Sequence, residues 1–215
     1  MSTSIIVFAK APVAGMAKTR LTPALGSAGA AALAERMLRH ALTQATAADI
    51  GPVELCAAPD TTHPALRDAA AACGATLAEQ GPGDLGLRMH RAFARHLKRH
   101  GRALLIGTDA PSLDAALLRQ AAQTLQQHEV VFVPALDGGY VLVGQRRADP
   151  RWFSDMTWSH ARVMADTRER LRASGVCWAE LSAVADIDEP ADLAHLPAAW
   201  LEGLQPAQRP SEPGA

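Results

Sequence analysis

Short apolar runs of strand length alternate with longer segments of helical periodicity along almost the whole chain of 215 residues. Residues 4–9, 53–58 and 103–107 are such apolar runs, whereas residues 28–48 repeat apolar side chains at helical spacing. That helical stripe consists of Leu33, Met37, Leu38 and Leu42. Strands that alternate with helices build a mostly parallel sheet with helices on both faces. The pattern therefore predicts an α/β protein with a three-layer α/β/α architecture.

The remaining segments continue this alternation. Further strands are expected at residues 75–79, 130–134, 140–144 and 176–181, and further helices at residues 64–73, 84–100, 113–127 and 159–173, with a short helix after Pro190. We expect residues 1–202 to form one domain, because a chain of this length supports one sizeable core. Residues 203–215 are rich in Pro, Gly, Gln and Glu, and we expect them to form a disordered tail.

The composition argues against several classes of function. Charge nearly cancels, with 21 basic and 22 acidic residues, so no nucleic-acid-binding surface is expected as the main function. Cys56, Cys73 and Cys177 are widely spaced and form no CxxC pair, which is typical of reduced thiols rather than of a disulfide framework or a zinc site. No apolar run reaches the roughly 18 residues of a membrane span, and none has the form of a signal peptide. We therefore expect a cytoplasmic protein without a membrane span.

The first strand runs directly into a basic loop, in the sequence IIVFAKAPVAGMAKTRL. Lys10 stands where the strand ends, and Pro12 and Gly15 keep the following residues out of a helix. Lys18 and Arg20 can fold back over a bound polyphosphate, and the guanidinium can make a bidentate contact. A positively charged loop at the carboxyl edge of a sheet is suited to phosphates. The alternative is a solvated loop with three ordinary surface cations.

An aspartate follows the apolar strand at residues 103–107, in the sequence GTDAPSL. The strand cannot continue past Pro111, so Asp109 is expected at the same sheet edge as the basic loop. Mg²⁺ needs one or two carboxylates together with phosphates and water, and Asp109 can supply one of them. The alternative is that Asp109 caps the next helix, for which Ser112 is the better candidate.

A second acidic segment, ADIDEPADL, follows the last predicted strand. Asp188 precedes Glu189 and Pro190, which is typical of a helix cap with proline in the first turn. The same position after a strand suits a second metal ligand, and one carboxylate can serve both purposes. Asp186 lies two residues earlier and can face the same side of an extended chain.

Two glycine-containing turns complete the candidate regions. The sequence QGPGDLGLR opens a helix, and its glycines permit close approach of the backbone to a planar ligand. The sequence DGGY, at residues 137–140, requires unusual backbone angles before a strand. Tyr140 either lines an acceptor pocket or is a half-buried strand residue. Trp158 and Arg162, near the next helix, are expected to close the same crevice.

The histidines carry less information. His96 and His100 lie four residues apart on one predicted helix, a spacing compatible with a metal. The same helix carries Arg91, Arg95, Lys98 and Arg99. A helix so rich in basic residues is typically solvated on that face. We therefore expect a solvated basic face there, and no metal site.

Taken together, the motifs resemble a bacterial family of uncharacterised GT-A-like transferases, DUF2064, also called radical-SAM/selenodomain-associated transferases. They are FAKAPVAGMAKTRL, QGPGDLGLRM, GTDAPSL, PALDGGYVLVG, WSHARVMADT and DIDEPADL, in this order. The resemblance extends to about residue 196 and is more distant to molybdenum-cofactor and phospholactate nucleotidyltransferases. It implies a nucleotide-diphospho-sugar transferase fold, which is GT-A and Rossmann-like, and a divalent metal.

The resemblance also implies roles for individual residues of the basic loop. Lys10, Lys18 and Arg20 would hold the phosphates of a nucleotide, with Lys18 among the catalytic residues. The loop departs from the glycine-rich form of most nucleotidyltransferases, because it has Lys10-Ala11-Pro12 where glycines would be expected.

For the acidic residues the resemblance implies a metal site. Asp109 and Asp188 would coordinate Mg²⁺ or Mn²⁺, with Asp186 as a further candidate ligand and Asp109 as a catalytic residue. His160 stands where the family usually has a small hydroxyl residue, and the sequence offers no physical reason for it.

For the glycine turns the resemblance implies substrate contacts. Gln80, Gly81 and Gly83 would lie against the base or ribose, and Arg88 is included among the substrate-binding residues. The acceptor would be faced by Asp137, Gly138, Gly139 and Tyr140.

These assignments predict a metal-dependent transferase that uses a nucleotide-activated donor and a small-molecule acceptor. In nucleotidyl transfer, pyrophosphate leaves and the nucleotide passes to the acceptor, whereas in glycosyl transfer the sugar passes and a nucleoside diphosphate leaves. The same carboxylates and cations can serve both reactions. The alternative from another class is a non-catalytic nucleotide sensor or interaction module on the same fold.

Overall fold

Every strand expected from the apolar runs is present in the computed structural model, which describes residues 2–204. The described strands are β1 (Ser4–Lys10), β2 (Val53–Ala58), β3 (Thr76–Glu79), β4 (Ala103–Ile106), β5 (Val130–Pro134), β6 (Tyr140–Gln145) and β7 (Trp178–Glu180). Their bounds are close to the expected ones, because each strand is a short apolar run that ends at a turn.

The strands form one sheet in the order β3-β2-β1-β4-β6-β5-β7. In its centre, Val7 of β1 lies beside Leu55 of β2 and Ile106 of β4, in parallel register. Strand β6 alone runs antiparallel to its neighbours β4 and β5, and β5 pairs with β7 in parallel. The expected mostly parallel sheet is therefore confirmed. The carboxyl ends of β1, β4, β5 and β7 share one edge with the start of β6.

Helices cover both faces of the sheet. They are α1 (Thr22–Ala47), α2 (Pro64–Ala72), α3 (Leu85–His100), α4 (Ala115–Thr124), α5 (Val163–Ala173) and α6 (Ala198–Leu201). Leu38 of α1, Leu66 of α2 and Leu118 of α4 belong to the apolar core on one face. Phe93 of α3 and Leu171 of α5 belong to the core on the other face. Burial of these side chains on both faces gives the three layers expected from the sequence.

Helix α1 begins earlier than expected, at Thr22 rather than at residue 28. Pro23 lies at its first turn, where the fixed φ of proline suits a helix start. Gly26 then interrupts the helix with φ 69° and ψ 165°. This interruption hides the first turn from a periodicity argument, because the helical spacing is broken there.

A third apolar cluster connects the start of α1 to the last part of the described residues. Leu21, Leu25 and Leu33 pack there with Ile187 and Leu196. The cluster fixes the loop after β1 against the acidic segment that follows β7. Two segments far apart in sequence are thus held together beside the sheet edge.

Two helix starts differ from the predictions. Helix α4 is capped by Asp114, whose Oδ1 accepts a hydrogen bond from Leu117 N at 2.8 Å, so neither Ser112 nor Asp109 is the cap. Helix α5 begins at Val163 rather than at residue 159, because Ser159 has a left-handed backbone with φ 63°. In both cases an irregular turn follows the preceding element and delays the helix.

The expectation of a solvated basic face on α3 is wrong for Arg95 and His96. Arg95 pairs with Glu54 Oε1 from β2, and His96 Nε2 lies 3.1 Å from the same oxygen. Glu54 and His96 are both buried. Burial alone would raise the pKa of Glu54, but the contacts with His96 and Arg95 outweigh it and hold that pKa below its ordinary value. We call these three residues the Glu54 cluster.

The last two described residues, 203 and 204, belong to the segment that the sequence predicts to be a disordered tail. Leu204 nevertheless packs against the third apolar cluster. Residues 205–215 lie outside the described residues, so a disordered tail and a domain boundary at residue 202 stay predictions. None of the helices between residues 2 and 204 has the length and hydrophobicity that crossing a membrane requires.

Candidate functional site

Three of the predicted site residues meet at the carboxyl edge of the sheet. Lys18 Nζ lies 2.7 Å from Asp109 Oδ1 and 2.6 Å from Asp188 Oδ1. It also donates a hydrogen bond to the backbone oxygen of Ile187 at 2.6 Å. We call this arrangement of one ammonium and three oxygens the Lys18 bridge. It joins the loop after β1, the end of β4 and the segment after β7.

Backbone contacts explain why the two aspartates are neighbours. Ile187 N donates to the backbone oxygen of Asp109 at 2.8 Å. The Ile187 side chain is buried in the apolar cluster with Leu21. The acidic segment is therefore anchored by its backbone and its side chain at Ile187, directly before Asp188, and the Asp188 carboxylate lies beside that of Asp109.

The backbone at Lys18 is unusual for a residue with a side chain. Lys18 has φ 49° and ψ 44°, in the left-handed region. Left-handed backbone costs an L-residue roughly 1–2 kcal/mol and is often found where function requires a fixed geometry. At this position it directs the chain into the short 3-10 helix Thr19–Leu21, whose last residue is buried. The left-handed conformation therefore destabilises the loop slightly, and it places the ammonium in contact with the two carboxylates.

Lys18 remains charged in the bridge. Burial alone would lower the pKa of Lys18, but the charges of Asp109 and Asp188 and their hydrogen bonds outweigh burial and raise the pKa above its ordinary value. The site therefore contains a buried ammonium and two carboxylates that reach solvent.

Asp188 does not cap the helical turn that follows it. The backbone N–H groups of Asp188 and Glu189 both donate to Asp192 Oδ2, at 3.0 and 2.7 Å. Asp192 belongs to the 3-10 helix Pro190–His195, and its carboxylate accepts these hydrogen bonds from N–H groups just before the helix. The expectation of a cap at Asp188 is wrong, and its carboxylate is available to the site.

An acidic cavity of about 340 Å³ opens beside the bridge. Its lining consists of Arg20, Leu136, Asp137, Ala185, Asp186, Asp188, Glu189, Asp192 and His195. Burial, followed by the charge of Asp137 and then those of Asp188 and Asp192, raises the pKa of Asp186 to about 6. Arg20 and Asp186 thus share one cavity with the predicted acceptor residue Asp137, whereas Lys10 lies exposed at the end of β1.

Gln80 lies under the sheet edge rather than on its surface. Its side-chain amide donates to the backbone oxygens of Cys56 at 3.0 Å and Ala9 at 3.3 Å. The residue is 7% exposed. Gln80 therefore joins the ends of β1 and β2, and its predicted contact with a base or ribose stays a prediction.

Two arginines of α3 hold the glycine turn in place. Arg88 Nε donates to the backbone oxygen of Gly83 at 2.8 Å. Arg91 donates to the backbone oxygens of Gln80 at 2.5 Å and Pro82 at 3.0 Å. A Cβ atom at Gly81 would lie 2.6 Å from Arg91 Nη1, so glycine is needed for this contact. The expectation that Arg91 lies on a solvated face is therefore wrong, and its spacing of three from Arg88 puts both arginines on one side of the helix.

The DGGY turn is fixed against the start of α5. Gly139 N donates to Asp137 Oδ1 at 2.8 Å, and Met164 N donates to the backbone oxygen of Gly138 at 2.8 Å. Gly138 has φ 94°, and a Cβ atom there would lie 2.0 Å from the backbone oxygen of Ala161. The turn therefore requires glycine at this position for conformation and for space.

Tyr140 is half-buried at the start of β6. Its ring packs edge-on against Phe132 with centroids 5.1 Å apart. Its hydroxyl is buried without a hydrogen-bond partner among residues 2–204, and burial raises its pKa. Of the two interpretations, this geometry is that of a half-buried strand residue, and contact with an acceptor stays a prediction.

His160 and Trp158 belong to the turn before α5. His160 Nε2 lies 2.9 Å from the backbone oxygen of Thr157, and its Nδ1 accepts a hydrogen bond from Arg162 N at 3.2 Å. The imidazole thus supports the turn in place of a hydroxyl. Trp158 lies near Phe153, with ring centroids 6.5 Å apart. Closure of the crevice by Trp158 and Arg162 stays a prediction.

The oxygen atoms of the Lys18 bridge fit a divalent cation. Two carboxylate oxygens and one backbone oxygen converge on a single positive charge, and Mg²⁺ prefers oxygen ligands. Within the described part of the chain, no three His, Cys, Asp or Glu side chains converge to form a metal site. A cation bound by Asp109 and Asp188 would therefore need ligands from phosphates and water.

The model of one protein family, described as "Uncharacterized protein conserved in bacteria (DUF2064)", matches residues 25–160. The fold is similar to the crystal structure of a candidate nucleotide-diphospho-sugar transferase from Desulfovibrio desulfuricans G20, with a TM-score of 0.83 and 29% sequence identity. That match covers 94% of this chain and 90% of the other. A search of curated proteins found no match.

Two more distant structures show the fold alone. A cytidylyltransferase from Leptospira borgpetersenii has a TM-score of 0.60 and 13% identity, with 92% of this chain and 89% of the other covered. Glucosyl-3-phosphoglycerate synthase from Mycobacterium tuberculosis has a TM-score of 0.53 and 12% identity, with 94% and 77% covered. The latter structure contains Mn²⁺, uridine diphosphate and glucosyl-3-phosphoglycerate. The fold of this chain is that of the nucleotide-diphospho-sugar transferases, as the resemblance implied.

Proposed function

The chain belongs to the DUF2064 family, and we propose that it is a transferase that uses a nucleotide-activated donor, a divalent cation and a small-molecule acceptor. The observation that carries this proposal is the Lys18 bridge. It brings a basic loop and two carboxylates together at the carboxyl edge of the sheet, where ligands bind in folds of this kind. The similar structures support the proposal, because they include a cytidylyltransferase and a synthase with uridine diphosphate and Mn²⁺.

In this proposal the basic loop holds the donor phosphates. Lys18 and Arg20 bind the phosphate oxygens and stabilise the negative charge that develops on the leaving group. Lys10, at the end of β1, adds a third positive charge to the same edge. These contacts position the donor without a covalent intermediate.

Asp109 and Asp188 hold Mg²⁺ or Mn²⁺ in the same proposal. When bound, such a cation neutralises charge on the donor phosphates. Asp186 lies in the adjoining cavity and can orient water or the acceptor there. The structure gives both carboxylates open faces, since their side chains are 45% and 39% exposed.

The acceptor occupies the acidic cavity in this proposal. Arg20 and Asp137 both line it, and Asp137 also accepts a hydrogen bond from Gly139 N within the DGGY turn. On the other side of β1, the turn of Gln80, Gly81 and Gly83 provides backbone groups for the base or ribose. Arg88 supports that turn through its contact with Gly83.

A panel of donors tests the proposal and separates its two reactions. Thermal unfolding is followed with nucleoside triphosphates and nucleotide-sugars, each with and without Mg²⁺ or Mn²⁺, since a ligand of the native state raises the melting temperature. We expect a metal-dependent rise with one donor class. A rise with triphosphates alone supports nucleotidyl transfer, and a rise with nucleotide-sugars alone supports glycosyl transfer.

Turnover distinguishes an enzyme from a sensor. Donors that raise the melting temperature are incubated with pooled phosphorylated and hydroxylated small molecules, and released pyrophosphate or nucleoside diphosphate is measured. Release above the rate of an Asp109→Asn variant supports the transferase. Binding without metal dependence would contradict the proposed role of Asp109 and Asp188.

A further inference from the structure

The ammonium of Lys18 occupies the position that a divalent cation would need. Its three oxygen contacts, from Asp109, Asp188 and Ile187, are all between 2.6 and 2.7 Å. Mg²⁺ binds its oxygen ligands at about 2.0–2.1 Å. An ammonium and a cation cannot share this space, and two like charges so close would repel strongly.

We infer that Lys18 is a resident competitor of the divalent cation, which binds tightly only when nucleotide phosphates draw the Lys18 ammonium away from Asp109 and Asp188. This inference rests on the proposed function and adds an order of binding to it. The free protein keeps its two carboxylates neutralised by its own side chain. The cation and the nucleotide then bind as one unit.

The composition of the site supports this order. In the described residues the bridge has two carboxylates and one backbone oxygen, without a third acidic ligand. A free cation therefore gains few ligands and must first break two ion pairs. Phosphates increase the number of ligands for the cation and reduce the cost of breaking the two ion pairs. They supply oxygen ligands to the cation and a new anionic partner to the ammonium.

The pattern of exposure provides a path for the exchange. The Lys18 side chain is 10% exposed, whereas the side chains of Asp109 and Asp188 are 45% and 39% exposed. Lys18 thus contacts the carboxylates from the protein side, and a cation carried by phosphates can reach their open faces from solvent. The exchange requires movement of one flexible side chain, while the contact between Ile187 N and Asp109 keeps the carboxylates in place.

The test measures binding of Mn²⁺ alone, without nucleotide, by the loss of the electron paramagnetic resonance signal of free Mn²⁺. Lys18→Met and Lys18→Gln remove the competing charge. If the ammonium fills the position in nine of ten molecules, its removal tightens the apparent affinity about tenfold. We therefore expect both variants to bind Mn²⁺ about tenfold or more tightly than wild type.

Matched variants separate competition from a general change of charge. Lys10→Met removes the same charge from the same loop but does not touch the bridge, so a gain of less than threefold is expected, as screened surface charges interact weakly. Lys18→Arg keeps a cation and is expected to bind Mn²⁺ as weakly as wild type. Lys18→Met combined with Asp109→Asn should lose the gain, because the metal position is then incomplete.

Several results would overturn the inference. Equal Mn²⁺ affinity in wild type and both Lys18 variants would do so, as would an equal gain in Lys10→Met. Circular dichroism verifies folding, and Lys18→Gln decides the question if Lys18→Met does not fold. Donor binding is measured on the same samples. If wild type binds a donor but the Lys18 variants bind Mn²⁺ no more tightly than wild type, only the proposed competition is contradicted. Absence of donor binding under all conditions contradicts the proposed function instead.

Discussion

The Lys18 bridge and the Glu54 cluster both pair buried charges, but they bury opposite partners. In the bridge the cation is 10% exposed and the carboxylates are 45% and 39% exposed. In the Glu54 cluster the carboxylate is 11% exposed, under an arginine that is 32% exposed. The bridge lies at the carboxyl edge of the sheet, whereas the Glu54 cluster lies between β2 of the sheet and α3 of a helix layer.

This difference distinguishes a site that can exchange a ligand from one that supports the fold. Carboxylates that reach solvent can accept a second cation or a substrate, whereas a carboxylate covered by arginine and histidine cannot. Removing one partner of a buried pair leaves a charge unpaired, which costs about 3–5 kcal/mol. Substitutions in the bridge should therefore affect activity, and substitutions in the Glu54 cluster should affect stability.

The largest expected effect is that of Asp109→Asn on catalysis. Loss of one carboxylate from the metal position should reduce kcat about 10²–10³-fold, comparable to removal of one group that stabilises transition-state charge. Stability should change little, because Lys18 keeps its contact with Asp188. Turnover of the donor found in the panel and thermal unfolding measure the two quantities. Asp68→Asn, exposed on α2, is the matched control, and equal losses in both variants would contradict the assignment.

Glu54→Gln should produce the opposite result. The buried Arg95 and His96 contacts lose their anion, so we expect the free energy of unfolding to fall by about 3 kcal/mol. The value of kcat should remain that of wild type. Urea unfolding measures the loss, and Glu35→Gln is the control. Glu35 forms an exposed pair with Arg39 on α1, worth less than about 0.5 kcal/mol.

The contribution of Glu54 should depend on pH in a defined direction. Its pKa is lowered from an ordinary value of 4.5 in the presence of Arg95 and His96 on α3, with Cys56 next to it on β2. A lowered carboxyl pKa stabilises the fold above the unfolded pKa, and this stabilisation disappears as pH falls through the folded pKa.

The difference in unfolding free energy between wild type and Glu54→Gln should therefore be present at pH 5. It should shrink as pH falls below 4.5. Burial raises the pKa of the Cys56 thiol to about 11, so Cys56 stays neutral throughout this range. Urea titrations between pH 3 and pH 5 measure the difference, and a difference that grows as pH falls through this range would contradict the ion pair.

The smallest expected effect is that of Arg95→Lys. The variant keeps the positive charge near Glu54 but loses the planar guanidinium, so the free energy of unfolding should fall by about 0.5–1 kcal/mol. Urea unfolding at pH 7 measures this change against Arg99→Lys, which lies exposed on the same helix. A loss as large as that of Glu54→Gln would show that geometry, rather than charge, supports the cluster.

The sequence predicts the sheet and the meeting of three residues for one physical reason. Parallel strands end at the same edge, so residues that follow β1 and β4 must lie close together. That rule placed Lys18, Asp109 and Asp188 in one site, and the structure brings all three into contact. Their direct contact with one another could not be predicted, because Lys18 reaches the two carboxylates from a left-handed turn that leaves no pattern in the sequence.

Other features depend on contacts between distant segments and leave no local pattern. The Glu54 cluster joins β2 to α3, and neither segment alone distinguishes a buried pair from a solvated basic face. Gln80 is similar, since its amide bonds to two strand ends that only the sheet brings together. The predicted helix caps were wrong for a local reason. Several acidic and hydroxyl residues lie near each helix start, and the sequence does not show which of them is the cap.

The single reversed strand, β6, has a consequence for how such a protein can diversify. Strand β5 arrives at the site edge and β6 leaves it, so the DGGY turn between them is the tip of an antiparallel hairpin at that edge. Exposed loop tips are sites where insertions are tolerated. A longer turn here would therefore reshape the edge of the cavity beside Asp137, whereas the loops that carry Lys18, Asp109 and Asp188 would keep their lengths.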